Sequence, residues 1–225
     1  MYGLVSKLLI SRNLRFEEGK IIVLDEPVCM LPLVYVKIAT DLSMKHHEAN
    51  RNDRSLEEMY FEAWVAGYEI TKNLTRIYKL NKFEERYRVT MDLVSLFGFG
   101  KYETFEFESK KYAYFKVIKN PMALEFYPSK KKVDVFLAGA NAGGGVIVHE
   151  TLINCVELEC AAINGQFCKF VNCNYELFKQ YTEKGETYDM DWDYVIKKEI
   201  EYIKNDKEYE KIIEIPDEVL KIASK

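Results

Sequence analysis

Residues 155–170 read CVELECAAINGQFCKF. This run sets Glu157, Cys160 and Cys168 on two consecutive short strands, with an Asn-Gly turn at Asn164 and Gly165 between them. A carboxylate and two thiols brought together in this way suit a closed Zn²⁺ site, because zinc takes sulfur and oxygen ligands in tetrahedral geometry. A fourth ligand must come from elsewhere, and the segment just upstream offers Asp134 and His149. The spacing is not CxxC, so the pattern gains weight only from its surroundings.

Working outward, residues 133–145 (VDVFLAGANAGGG) read as a short apolar helix of small side chains. Gly139 and Gly143 stand four apart, which lets another backbone come close. The glycines do not make a phosphate loop, since no Gly-Lys-Ser/Thr follows and no helix starts after them. Strands are expected over about 146–160, with an irregularity, and over 167–172. Beyond residue 175 the chain is charged and mostly helical. Trp192, Ile196, Ile200 and Ile203 form a packing face there, and Pro216-Asp217 opens a last short helix.

On the other side, Tyr102–Phe107 and Tyr112–Val117 alternate around Ser109-Lys110 and predict an antiparallel hairpin stopped by Asn120-Pro121. Lys130-Lys131-Lys132 reads as a solvated loop. Helices are expected over about 30–48, opened by Pro27, over 56–79, capped by Ser55, and over 82–96. Residues 46–53, starting with His46 and His47, read as a polar, solvated loop. The N-terminal 3–24 reads as short strands with a turn at Glu18-Gly19. Tyr60, Phe61, Trp64 and Tyr68 make one aromatic stripe, which serves either a core or the wall of a ligand pocket.

Composition sets the outer bounds. At 225 residues the chain holds one sizeable core or two small ones. With 48% hydrophobic and 30% charged residues it is ordinary globular material. A formal charge of -4 speaks against a nucleic-acid binder that relies on a basic surface. No stretch is apolar enough for a membrane span. MYGLVSKLLISRNLRFEEGK makes a poor signal peptide, and five cysteines point to a reducing cytoplasm, not to a disulfide framework. Abundant Lys, Glu and Ile beside only Gln166 and Gln180 lean towards a thermophilic source.

The order VSLFGFGKYETFEFESKKYAYFKVIKNPMA, then DVFLAGANAGG, then ELECAAINGQFCKF resembles the 4-vinyl reductase domain family, the predicted hydrocarbon-binding proteins. The resemblance covers roughly residues 10–175, is strongest at ELEC-x7-CKF, and suggests a stand-alone archaeal-type member. It implies an α/β (α+β) fold, an antiparallel sheet packed against several helices, shared with nitric-oxide-signalling and Golgi-transport domains. It further implies a small-molecule-binding domain over 1–175 (core 90–175), a C-terminal helical appendage over 176–225, and a homodimer. In the aromatic-sensing relatives zinc is held by Cys, Glu, Cys and Cys, the last three spaced as Glu157, Cys160 and Cys168 are. Counting back from Gly139 puts Asp134 at the first position, so this chain departs by Asp for Cys. Losing a thiolate weakens a soft-metal site; His149 and Cys155 are the substitutes if Asp134 points elsewhere.

With four protein ligands the zinc is a structural clip, since no position stays open for water. Cys29 and Cys173 read as packing residues. His149 beside Glu150 has the makings of an acid/base pair but no nucleophile to serve. The expected function is binding of a small hydrophobic molecule in an apolar pocket, in a sensory or carrier role, with Tyr60, Trp64, Tyr68, Phe97, Phe99 and Phe115 as walls. The alternatives are a reductase acting on a vinyl group of a tetrapyrrole-like substrate, for which no dinucleotide fingerprint is found, and a protein-interaction scaffold.

Overall fold

The computed structural model describes residues 14–18, 20–24, 26–28 and 32–223. Cys29, the predicted helix start near residue 30 and the first of the predicted N-terminal strand residues lie outside the described residues. Strands β1 (Leu14–Glu17), β2 (Lys20–Val23) and β3 (Glu26–Val28) form an antiparallel meander. Helices α1 (Leu33–Ala49), α2 (Ser55–Tyr78) and α3 (Phe83–Leu96) follow. The main sheet is built from β4 (Lys101–Glu108), β5 (Tyr112–Ile118), β6 (Ile153–Glu159) and β7 (Phe167–Asn174), all antiparallel, in the order β4-β5-β7-β6. Between and after these strands come α4 (Pro121–Leu124), α5 (Val135–His149), α6 (Ala161–Asn164), α7 (Tyr175–Glu183), α8 (Trp192–Asn205) and α9 (Asp217–Ala223). The α+β class expected from the sequence is the class observed.

The centre of the fold is α5. Every residue of it is buried except Phe136 and Ala140. Four glycines in a helix cost about 4 kcal/mol against alanine, so their presence needs a steric reason. A Cβ on Gly139 would stand 2.2 Å from the Tyr60 carbonyl oxygen, and one on Gly143 1.9 Å from that of Trp64. The fit is mutual, because a Cβ on Gly67 of α2 would stand 2.0 Å from the Ala140 oxygen. The two helices therefore touch backbone to backbone. On its sheet side α5 meets β7 and β6, where a Cβ on Gly145 would crowd Asn172 and Ile153.

The aromatic stripe of α2 faces the C-terminal helices. Trp64 stacks on Tyr68 with ring centroids 5.1 Å apart, and Tyr202 meets Phe61, Trp64 and Tyr68 edge-on. Trp192 closes on Tyr60 at 5.1 Å and on Phe178 at 4.7 Å. Val195, Ile196, Ile200 and Ile203 of α8 belong to the same buried cluster as α2, α5 and the main sheet.

Three local expectations are corrected. Helix α5 runs on through Val146-Ile147-Val148 to His149, where a strand was expected; burial on all sides erases the periodicity that separates the two states. Pro27 lies in β3, and α1 begins only after Pro32. His46 and His47 form the last turn of α1, not a solvated loop. His47 is buried, with Nδ1 3.7 Å from Glu57 Oε2.

Gly143→Ala is expected to lower stability by about 3 kcal/mol, since neither backbone can give way. Gly144→Ala, whose Cβ would have the Thr71 hydroxyl at 3.0 Å as its one tight contact, should stay within about 1 kcal/mol of the parent. Urea unfolding of the two variants side by side measures the difference.

Candidate metal centre and ligand cavity

Asp134 is the residue before α5, Glu157 lies near the end of β6, Cys160 precedes α6, and Cys168 is the second residue of β7. The register between β6 and β7 shifts between Glu157 and Glu159; such a bulge bends the strand end and re-aims the residues that follow. The tight turn back is made by α6 with Gly165 at φ +70° as its left-handed cap. One ligand atom from each of Asp134, Glu157, Cys160 and Cys168 falls within 4.8 Å of all the others, and all four residues are buried. His149 is not in this group. It ends the helix that Asp134 begins, about 22 Å of helix away.

Sequence reasoning missed two residues that hold the group in place. Asn120 accepts from the backbone N–H of Met122 and Ala123, and so is fixed as the cap of α4. Its amide then donates to Asp134 Oδ2 at 2.7 Å and to Cys168 Sγ at 3.3 Å. The Asn-Pro pair, a cap followed by proline at the first helical position, was its one visible signal. Tyr188 donates its hydroxyl to Glu157 Oε2 from the segment before α8, and nothing local marks that contact.

The electrostatics are those of acids crowded together out of water. Burial, then Glu157, pushes the Asp134 carboxyl well up; burial, then the Cys160 thiol, does the same to Glu157. Cys160, hydrogen-bonded by Cys168, is brought down to about 7, while Cys168 goes up, through Cys160 first and burial second. Asp134 Oδ1 and Glu157 Oε1 are buried without a hydrogen-bond partner. An S₂O₂ set with unanswered carboxylate oxygens fits one divalent cation, which would reverse the sign of the local field.

The cavity lies elsewhere, where α2, α3 and α5 meet. It has a volume of about 150 Å³ and mostly apolar walls. Ile70, Leu93, Val94, Phe97, Phe99 and Phe136 are among them. Of the aromatics proposed from sequence as pocket walls, Phe97 and Phe99 line this cavity. Tyr60, Trp64 and Tyr68 do not, because the stripe they form is covered by Trp192 and Tyr202 and points away from it. Phe115 does not either, being stacked in the sheet core between Tyr102 and Phe170. His149, considered above as a ligand and as an acid/base group, sits in the cavity wall against Phe83. Cys155 and Cys173 are buried in β6 and β7, and burial raises both thiols.

Among the described residues, no helix is long and apolar enough to cross a membrane. No family model matches the chain, and no curated protein matches it. Among solved structures the chain is similar to the phenol-responsive sensory domain of the transcription activator PoxR, solved with phenol. The match has a TM-score of 0.68 at 13% identity, and covers 83% of this chain and 96% of that one. At this identity the likeness is one of fold.

Proposed function

We propose that this chain is a small-molecule-binding module of the 4-vinyl reductase-domain kind, which takes a small hydrophobic molecule into the cavity between α2, α3 and α5. The observation that carries the reading is the cavity itself. Its volume of about 150 Å³ is that of an engineered apolar cavity able to hold benzene. Phe97, 37% exposed, and Ala66 stand at its outer rim, while Leu93, Val148 and His149 are deeply buried. A ligand would thus enter between Phe97 and the Ala66 turn of α2 and lose nearly all its contact with water. The fold likeness to a domain solved with phenol supports a sensory role.

We further propose that Asp134, Glu157, Cys160 and Cys168 hold one zinc ion. Bound there, zinc would tie the start of α5 to the ends of β6 and β7, leaving no position for a reacting water. Asn120, through Asp134 and Cys168, and Tyr188, through Glu157, would orient three of the ligands, as outer partners do in metal sites.

Metal content tests the second proposal. One zinc per chain is expected, lost in the Cys160→Ser, Cys168→Ser double variant together with thermal stability; unchanged metal in that variant would reject the ligand set. Asp134→Ala should weaken binding less than either cysteine change. Asp134, Glu157 and Cys168 all hold their protons more tightly than usual, and binding must displace them. Zinc affinity should therefore rise with pH, with proton release visible as a buffer-dependent heat in calorimetry.

For the cavity, Gly144→Val places a branched side chain on the wall beside Thr71 and Thr90. Phenol is expected to bind the parent protein at least tenfold more tightly than this variant, with the unfolding midpoint nearly unchanged. Equal binding by both would show that the molecule sits elsewhere.

A further inference from the structure

Helix α1 is built inside out. The two of its residues that are fully withdrawn from water, Thr40 and His47, are both polar. Of its apolar side chains, Met44 is the one packed against the main core. Polar links hold it in place instead: Lys37 donates to the Glu125 carbonyl at 2.6 Å, and the Ser55 hydroxyl donates to the Ser43 carbonyl at 3.2 Å. Val34, Tyr35, Ile38 and Leu42 meanwhile face solvent, 52%, 59%, 51% and 49% exposed. A surface helix of a folded domain turns its apolar stripe inward. A helix that turns it outward marks a face that something else covers.

The spacing on that face says what the cover is. Tyr35, Ile38, Leu42, Lys45 and Ala49 are all exposed and recur at alternating intervals of three and four, the spacing by which two helices pair along a seam. Lys45 is the one charge in the seam, and Asp41, one turn earlier, holds its ammonium at 2.6 Å. Lys45 stands five residues after Thr40 and Tyr35 five before it, while Ile38 and Leu42 stand two to either side. The seam is therefore its own complement when two copies run antiparallel about a two-fold axis at the level of Thr40. Ile38 of each copy then meets Leu42 of the other, and each Lys45 ammonium meets a Tyr35 ring, whose face attracts a cation. A parallel pair would set Lys45 against Lys45. Asp41, Lys45 and Glu48 also mix signs along the helix, unlike the basic flanks that an anionic membrane surface selects.

We infer that α1 is a self-association surface, on which the seam Tyr35, Ile38, Leu42 and Lys45 of one copy pairs antiparallel with the same seam of a second copy. From Tyr35 to Lys45 the seam is about 15 Å long, a small contact beside a standard protein interface. The dimer it makes is accordingly weak and populated by concentration. No residue of the seam is a metal ligand or lines the cavity, so the pairing depends on neither.

Sedimentation velocity of the purified chain, over a roughly hundredfold range of concentration, reads the pairing directly. A shift from monomer to dimer is expected as concentration rises. The double change Ile38→Glu, Leu42→Glu lies at exposed positions and keeps good helix formers there. It should weaken association by on the order of a hundredfold, through charge placed in the seam, with the unfolding midpoint of the dilute protein unchanged. Tyr35→Glu reads the direction: an antiparallel pair sets its carboxylate beside Lys45 and keeps the dimer, whereas a parallel pair sets it against its own copy and loses it. A parent chain that stays monomeric throughout would overturn the second copy as the occupant of this face. A dimer unmoved by the double change would overturn the choice of surface, and loss of the dimer in Tyr35→Glu would overturn the antiparallel arrangement.

Discussion

The backbone contact between α2 and α5 is the constraint on which the other features depend. Gly67 on one helix, and Gly139 and Gly143 on the other, leave no room for even a methyl group between the two chains. Helices joined by large side chains can slide or re-pack; two that meet through carbonyl oxygens and bare Cα atoms have one register. That register fixes where α5 starts and ends relative to α2 and the sheet. It also sends the aromatic stripe of α2 outward, where Trp192 and Tyr202 cover it. The aromatic burial offsets what the glycines cost in helix propensity.

One helix and one strand then serve both sites. Asp134 precedes the first turn of α5 in the acidic cluster, and His149 ends its last turn in the cavity wall. Along β7, Cys168, Phe170 and Asn172 alternate onto the same face. The first belongs to the metal group, the second to the core and the third to the cavity floor. A zinc ion pinning Cys168 and Asp134 would hold both elements at one end, and so steady the placement of Asn172 and His149 at the other.

What the sequence made legible was local or periodic. The Glu157, Cys160 and Cys168 spacing survives folding because two short elements and a Gly165 turn carry it. The hairpin β4-β5 and the close approach allowed by Gly139 and Gly143 followed from period and side-chain size. The cavity did not. Asn172 looks like any strand asparagine, and His149 sat in a run of β-branched residues that favoured a strand over a helix end. Their convergence with Asn141 and Thr90 joins four residues from α3, α5 and β7. The aromatic stripe was ambiguous for a related reason: a helix face shows that something covers it, not whether the cover is protein or ligand. The partner was Trp192 and Tyr202, more than a hundred residues away.

Both ends of α5 leave polar atoms unanswered in a dry interior, and this ties them thermodynamically. Asp134 Oδ1 and Glu157 Oε1 at one end, and Asn172 Oδ1, Thr90 Oγ1 and the His149 ring at the other, give up hydration on folding without gaining a partner. Each such group costs about 1–3 kcal/mol, a large share of the stability a domain has to spare. The apolar walls and the backbone-tight helix pair make the fold able to carry that cost. A cation at the first end would supply ligand bonds to carboxylate and thiol groups already held in place, with little ordering left to do. Preorganisation of this kind is what lets a small buried donor set hold an ion firmly.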